Sequence, residues 1–345
     1  MKFSITEYLS LFSISMVSVG LLTPLMRFIA LRTNVVDRPN QVHKTHGLPI
    51  PYLGGVGIMI GVTSVTYMLI FRFSPTTREL SLASSLLIPA FILGLIGLVD
   101  DIKNLSPWPR FIAQSLAGLF TALVLIRTDT LGTPTGSIFL DITITVLWIV
   151  GITNSINFFD NLDGGASGTV AISSAAVTIL ALQSNQFLIA SLAMVLSGST
   201  IGFLLWNKPP ARIYMGDAGA LFLGLLVASL SVRLDTNPIN KFATFSIPFL
   251  LLAVPIMDTS VAVLSRIKRG LSPFQGGRDH LSHRLMRHGF TKRQAVISLW
   301  IFTIYFSSIA IAISYAPFKF EGMISGVGLI SWLTFFCWFL TTHDS

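Results

Sequence analysis

An all-α, polytopic integral membrane protein with about eleven transmembrane helices is the architecture that this sequence predicts. Three observations point to it. Hydrophobic residues make up 52% of the 345 residues and charged residues only 11%, against about 25% charged in an ordinary soluble domain. Apolar runs approaching the roughly 20 residues that span a bilayer recur along the whole chain. The remaining charges fall in the short connections between runs, so the net charge of +8 reads as membrane topology and not as a nucleic-acid surface. The single cysteine, Cys337, lies in the last apolar run and excludes a disulfide framework or a cysteine-based zinc site.

Delimited by polar, proline or glycine breaks, the runs are Tyr8–Ala30, Tyr52–Phe71, Ala83–Val99, Phe111–Ile126, Ile142–Phe159, Thr169–Leu182, Phe187–Trp206, Ala218–Val232, Phe242–Leu264, Ala295–Tyr315 and Met323–Leu340. Spans of this length leave only about a dozen residues per connection, so residues 1–345 read as one transmembrane domain without a separate soluble one. No small-residue cleavage signal follows the first run, which is expected to be retained. Sixteen of the 23 Lys and Arg residues fall on one side of the alternating spans and seven on the other. The richer side is expected to be cytoplasmic, with the N-terminus outside and the C-terminus inside. Its site-bearing loops cover about 31–51, 100–110, 154–168, 207–217 and 265–294.

The few acidic residues carry most of the chemical information. Asp100 and Asp101 directly follow the third run, in GLIGLVDDIKNLSP. A helix C-terminus disfavours carboxylates, and adjacent ones repel. The pair is either a hydrated loop with Lys103 as counter-charge or a site that binds a divalent cation or takes a proton. The fifth run ends in NSINFFDNLDGGASG, where Asn154, Asn157 and Asp160 share one helical face and Asp163 opens a glycine-rich turn. An Asx-rich turn explains Asp163 but not the amides within an apolar span. Oxygen donors of this kind suit Mg²⁺ or Mn²⁺, not zinc. Asp217, in YMGDAGALFLG, reads on its own as a helix N-cap. Asp258 lies inside the ninth run, where an ionisable group is usually functional; the alternative is a structural partner for Arg266 or another loop arginine.

Two basic segments share that side. One contains His43, Lys44 and His46, followed by two prolines and a glycine pair. The other is SRIKRGLSPFQGGRDHLSHRLMRHGF, in which a helix over 280–288 would align His280, His283, Arg284 and Arg287 opposite Leu281 and Leu285. That pattern predicts an amphipathic interfacial helix, although histidine adds little charge there at neutral pH. Carboxylates and amides at three loops with Lys, Arg and His at two more describe a site for a Mg²⁺-bound polyanion such as a diphosphate. Its place at a membrane face implies a lipid-soluble reactant, and the missing P-loop argues against ATP hydrolysis.

Five ordered segments, KTHGLPIPYLGG, LVDDIKN, NSINFFDNLDGG, YMGDAGALFLG and RDHLSHRL, make the chain resemble the polyprenyl-phosphate N-acetylhexosamine-1-phosphate transferases. Within that family it resembles the bacterial branch that uses UDP-GlcNAc. The resemblance runs from Asp37 to about Gly289. It implies transfer of a sugar 1-phosphate, GlcNAc-1-phosphate first, from a UDP-sugar to undecaprenyl phosphate at the cytoplasmic face of the bacterial plasma membrane. UMP is released and a lipid-linked diphosphate sugar begins an envelope glycan. It further implies Mg²⁺ as cofactor with Mn²⁺ as a substitute, no nucleic-acid partner, and allows a homodimer. Asp217 and Asn157 look like metal ligands; Asp100 and Asp101 resemble the catalytic pair, Asp100 being the base on the lipid phosphate. Asn154, Asp160, Asp163, Lys44, Arg278, His280 and His283 are similar to substrate contacts. Two departures stand out. Ser282 replaces the middle histidine of a His-x-His-His pattern, and Asn161 and Gly165 replace Gly and Leu of a DGxDGL pattern. UDP-MurNAc-pentapeptide is the alternative donor. A cation-coupled transporter is the alternative class, but it predicts repeats and acidic residues near the midplane.

Overall fold

The computed structural model describes residues 4–37, 49–72, 76–128, 135–236, 240–272 and 277–342. Among these residues the chain is helical throughout, apart from one two-residue strand pair. The helices are α1 (Ile5–Arg32), α2 (Gly54–Arg72), α3 (Thr77–Lys103), α4 (Pro107–Arg127), α5 (Ile138–Phe159), α6 (Gly165–Gln183), α7 (Phe187–Asn207), α8 (Gly216–Arg233), α9 (Lys241–Leu251), α10 (Ala253–Lys268), α11 (Leu281–Arg287), α12 (Lys292–Tyr315) and α13 (Phe318–Thr341). Strands β1 (Val36–Asp37) and β2 (Ile50–Pro51) pair antiparallel, with Val36 opposite Pro51 and Asp37 opposite Ile50.

Ten helices are long and apolar enough to cross a membrane, or eleven spans if the bent pair α9–α10 counts as one. α8 is the buried heart of the bundle, solvent-shielded from Ala218 to Ser231 and packed against α2, α3 and α5. α1, α4 and α13 instead keep broad apolar faces exposed, as lipid-facing helices do. Capping boxes start α1 at Ser4/Glu7, α3 at Thr76/Glu79 and α12 at Thr291/Gln294, satisfying amides that would otherwise be unpaired at the helix entry.

Two expectations change. The ninth run is not one continuous span: α9 and α10 meet at Leu252 with a bend of 76°. Pro255 has no N–H for the carbonyl of Leu251 and crowds it, and Ser173 Oγ on α6 donates to that carbonyl at 2.7 Å. The bend sets the direction of α10, which carries Asp258. The second change concerns the helix near 280–288. α11 is not an interfacial anchor, because Arg284 is only 2% exposed and Leu281, Ser282 and Leu285 are buried with it. Arg284 donates to the carbonyls of Phe339 and Thr342, each at 2.8 Å, and to Ser265 Oγ. It therefore caps the C-terminal turn of α13, where a cation is favoured.

Candidate active site

The C-terminus of α3 meets the N-terminus of α8, and their junction assembles the site. α3 runs one turn past its apolar stretch to Lys103 and ends at Asn104, whose left-handed backbone (φ 50°) suits an asparagine. The chain then doubles back, and Leu105 N donates to Asp100 Oδ1 at 2.6 Å. Arg110, in the first turns of α4, places one nitrogen 2.5 Å from Asp100 Oδ2 and 2.6 Å from Asp217 Oδ2. Two carboxylates that would repel are thus held against one guanidinium.

The adjacent aspartates do different work. Asp101 points both oxygens into the first turn of α8, accepting from Asp217 N at 2.9 Å and Ala218 N at 3.1 Å. The positive end of the α8 dipole meets a carboxylate there. The approach needs two glycines. A Cβ on Gly216 (φ +70°) would stand 2.5 Å from Asp101 Oδ2, and one on Gly97 would stand 2.5 Å from the carbonyl oxygen of Asp217. Asp217 is consequently not the N-cap that its position in the sequence suggests. Its side chain is released from capping and turns to Arg110 and to Asn157, whose Nδ2 donates to Asp217 Oδ1 at 2.8 Å.

Asp160 follows α5 directly, its N–H capping the helix, while its carboxylate takes no hydrogen bond or ion pair among the described residues. Burial first, and then the charges of Asp217, Asp163 and Asp101, push its carboxyl well above the usual range. Tyr214 is likewise raised by burial and by Asp163, Asp37 and Asp160, and Tyr52 by burial, Asp101 and Asp37. An acidic basin thus lines this end of the bundle. Its donors are all oxygens, the chemistry of a hard divalent cation. Among the described residues no three His, Cys, Asp or Glu side chains converge on one metal position. Mg²⁺ characteristically takes one or two protein carboxylates and completes its shell with water and phosphate oxygens, which Asp217, Asn157 and Asp160 fit.

Other expected residues sit beside this basin. Asp163 Oδ2 accepts from Ala211 N at 3.0 Å and so ties the loop before α8 to the turn after α5. Asn154 exchanges hydrogen bonds with buried Gln114 on α4, its Nδ2 reaching Gln114 Oε1 at 2.6 Å, and does not touch Asp217. Lys44 lies outside the described residues, as do His43 and His46.

A second polar cluster, on α10 and α11, is closed. Asp258 is completely buried; its partner is not Arg266 but His280, whose Nδ1 lies 2.7 Å from Asp258 Oδ2, while Leu281 N donates to Oδ1 at 2.7 Å. Arg266 NH2 faces His280 Nε2 at 3.3 Å; because arginine only donates, the ring proton belongs on Nδ1. Arg266 Nε and Arg269 hold the two carboxylate oxygens of Asp279. His283 is half-buried, its ring centroid 6.4 Å from that of His280, and burial beside His280 lowers it to about 4. Arg278 is exposed at the edge of the cluster. Arg110, Asp279 and Gln114 were not anticipated as site-forming residues. Only the proximity of Arg110 to the Asp100–Asp101 pair in sequence could have flagged one of them.

Comparison with known proteins gives the family of the chain. Residues 83–235, which hold Asp100, Asp101, Asn157, Asp160, Asp163 and Asp217, match the family model described as glycosyl transferase family 4. The chain is 34% identical over 310 residues to a probable undecaprenyl-phosphate N-acetylglucosaminyl 1-phosphate transferase of Bacillus subtilis (strain 168), covering 88% of this chain and 84% of that protein. It is 32% identical over 339 residues to a decaprenyl-phosphate N-acetylglucosaminephosphotransferase of Mycolicibacterium smegmatis, covering 88% and 82%. To an undecaprenyl-phosphate alpha-N-acetylglucosaminyl 1-phosphate transferase of Escherichia coli (strain K12) it is 26% identical, covering 94% and 89%. The chain therefore belongs to glycosyl transferase family 4, the family of the polyprenyl-phosphate N-acetylhexosamine-1-phosphate transferases.

Proposed function

We propose that this protein transfers GlcNAc-1-phosphate from UDP-GlcNAc to undecaprenyl phosphate. An oxygen of the lipid phosphate attacks the β-phosphorus of the sugar nucleotide. The bridging P–O bond breaks, UMP leaves with the bridging oxygen, and the lipid carries a diphosphate sugar. One observation supports this most directly: an acidic basin of Asp100, Asp160 and Asp217, served by one arginine, lies at the end of a membrane-spanning bundle. Such a basin repels a bare diphosphate and accepts one that arrives with a divalent cation. The relatives named above act on the same lipid and sugar classes.

Asp217 and Asn157, with Asp160 beside them, would hold Mg²⁺, for which Mn²⁺ would substitute. The ion, when bound, neutralises the diphosphate and polarises its phosphoryl oxygens. Asp100 takes the proton from the attacking lipid phosphate. Arg110 keeps a fixed positive charge where phosphate charge gathers. Asp101 holds α3 against α8 and thereby fixes the distance between the base and the metal ligands. The excess of Lys and Arg on this side of the spans favours a cytoplasmic site in the bacterial plasma membrane.

The test is a reconstitution with purified protein, undecaprenyl phosphate, Mg²⁺ and a panel of UDP-sugars. UMP release is expected with UDP-GlcNAc and not with UDP-MurNAc-pentapeptide; chelation should stop it and added Mg²⁺ restore it. No UMP from any donor would overturn the transferase assignment.

A further inference from the structure

Ser282 and Asn161, two of the three positions at which the sequence departs from the patterns it resembles, touch each other. Ser282 Oγ, on α11, donates to Asn161 Oδ1 in the turn after α5 at 2.5 Å, across 121 residues of sequence. Asn161 uses the other half of its amide as well. Its Nδ2 donates to Phe158 O at 2.8 Å and lies 3.5 Å from Asp258 Oδ2. One side chain therefore joins the end of α5, the middle of α10 and the start of α11. Ser282 is 1% exposed, so its hydroxyl has no solvent to turn to if Asn161 is removed.

α11 is held at its N-terminus by two anchors only a residue apart. Asp258 takes His280 Nδ1 and Leu281 N, and Asn161 takes Ser282 Oγ. The first anchor belongs to the closed cluster on α10. The second reaches the turn that carries Asp160 and Asp163. Without it, α11 would follow α10 and the distance from the histidine loop to the acidic basin would be unset.

We infer that Asn161 and Ser282 form a strut that positions His280 and His283 relative to the Asp160–Asp163 turn, and that the pair governs how tightly the sugar nucleotide is held. The residues are positioning residues: neither is asked to touch a reacting atom. The role as a donor-binding determinant rests on the transferase reading above, whereas the coupling of the two side chains does not. The replacements at Asn161 and Ser282 are then one coupled change, with Gly165 apart from it. A serine supplies a hydroxyl where the pattern has a histidine, and an asparagine supplies the acceptor where the pattern has a glycine.

The experiment is a double-mutant cycle of Asn161→Ala and Ser282→Ala, read by UMP-release kinetics and by thermal unfolding in detergent. Each single variant should raise KM for UDP-GlcNAc about threefold to tenfold with kcat little changed, the size expected for one buried hydrogen bond. The double variant should be no worse than the worse single, because the shared bond can be lost only once. Asn161→Gly should also restore activity to Ser282→His, by clearing the volume a histidine needs at that buried position. Independent, multiplying losses in the double variant would overturn the strut. A fall in kcat at constant KM would overturn its assigned role. If the wild type releases no UMP, the transferase reading fails, and the thermal cycle still decides the pair: additive losses of stability reject it.

Discussion

The basin around Asp100 and Asp217 and the cluster around Asp258 and Asp279 are built from the same residue types and differ in saturation. In the closed cluster each carboxylate oxygen has a donor: Asp258 takes His280 and Leu281 N, and Asp279 takes Arg266 and Arg269. In the basin the oxygens of Asp100, Asp101 and Asp217 also have donors, but one guanidinium is shared between Asp100 and Asp217, and the carboxylate of Asp160 has no hydrogen-bond or ion-pair partner among the described residues. Saturated charge fixes geometry; unsaturated charge awaits a ligand. Burial alone does not separate them, since Asp100 is also buried.

Substitutions can break this contrast, and the largest effect belongs to the basin. Asp217→Ala should abolish UMP release while leaving the yield of folded, detergent-extracted protein unchanged; wild-type turnover would remove the metal role. Asp100→Asn should lower kcat by about a hundredfold or more, the range of general-base loss, with UDP-GlcNAc binding retained by calorimetry. Lost binding would make Asp100 a binding group instead.

The closed cluster should answer in stability. Asp258→Ala leaves His280 Nδ1 and Leu281 N without their acceptor in a buried site, and should destabilise the fold by about 3–5 kcal/mol, seen as a lower melting midpoint or a lost yield. A normal melt with dead activity would place Asp258 in the basin's class. Asp101→Ala should lie between the two, costing about 1 kcal/mol as a lost helix cap together with a partial loss of turnover.

The effect confined to low pH is a titration. His283 titrates at about 4 in the fold against 6.5 when free, so the unfolded chain binds the extra proton first. Stability should fall as pH drops from 6.5 towards 4. His283→Gln should flatten that part of the curve, and an unchanged slope would assign it to another group.

The number of spans, their order and the acidic segments were legible because apolar length and local spacing are properties of neighbouring residues. The roles of Asp101 and Asp217 were not. Asp217 stands where an N-cap belongs, but the acceptor for its amide comes from Asp101, 116 residues away, and no periodicity reports such a partner. Arg110 read as one more cytoplasmic charge because its second carboxylate lies 107 residues downstream. Arg284 looked like a headgroup contact because the carbonyls it serves belong to the last helix. The break at Leu252 depends on Pro255 and on a serine from α6, and composition averaged over the run conceals both.

Since Asp101 is fastened into the first turn of α8, the end of α3 and the start of α8 behave as a single block. Sliding one along the other would unseat two amides at once. A nucleotide from the aqueous side and a phosphate on a long hydrocarbon must nevertheless both reach the same few ångströms. The α3–α8 block is therefore the fixed reference against which both reactants are placed, and Arg110 on α4 holds its two facing carboxylates, Asp100 and Asp217, together.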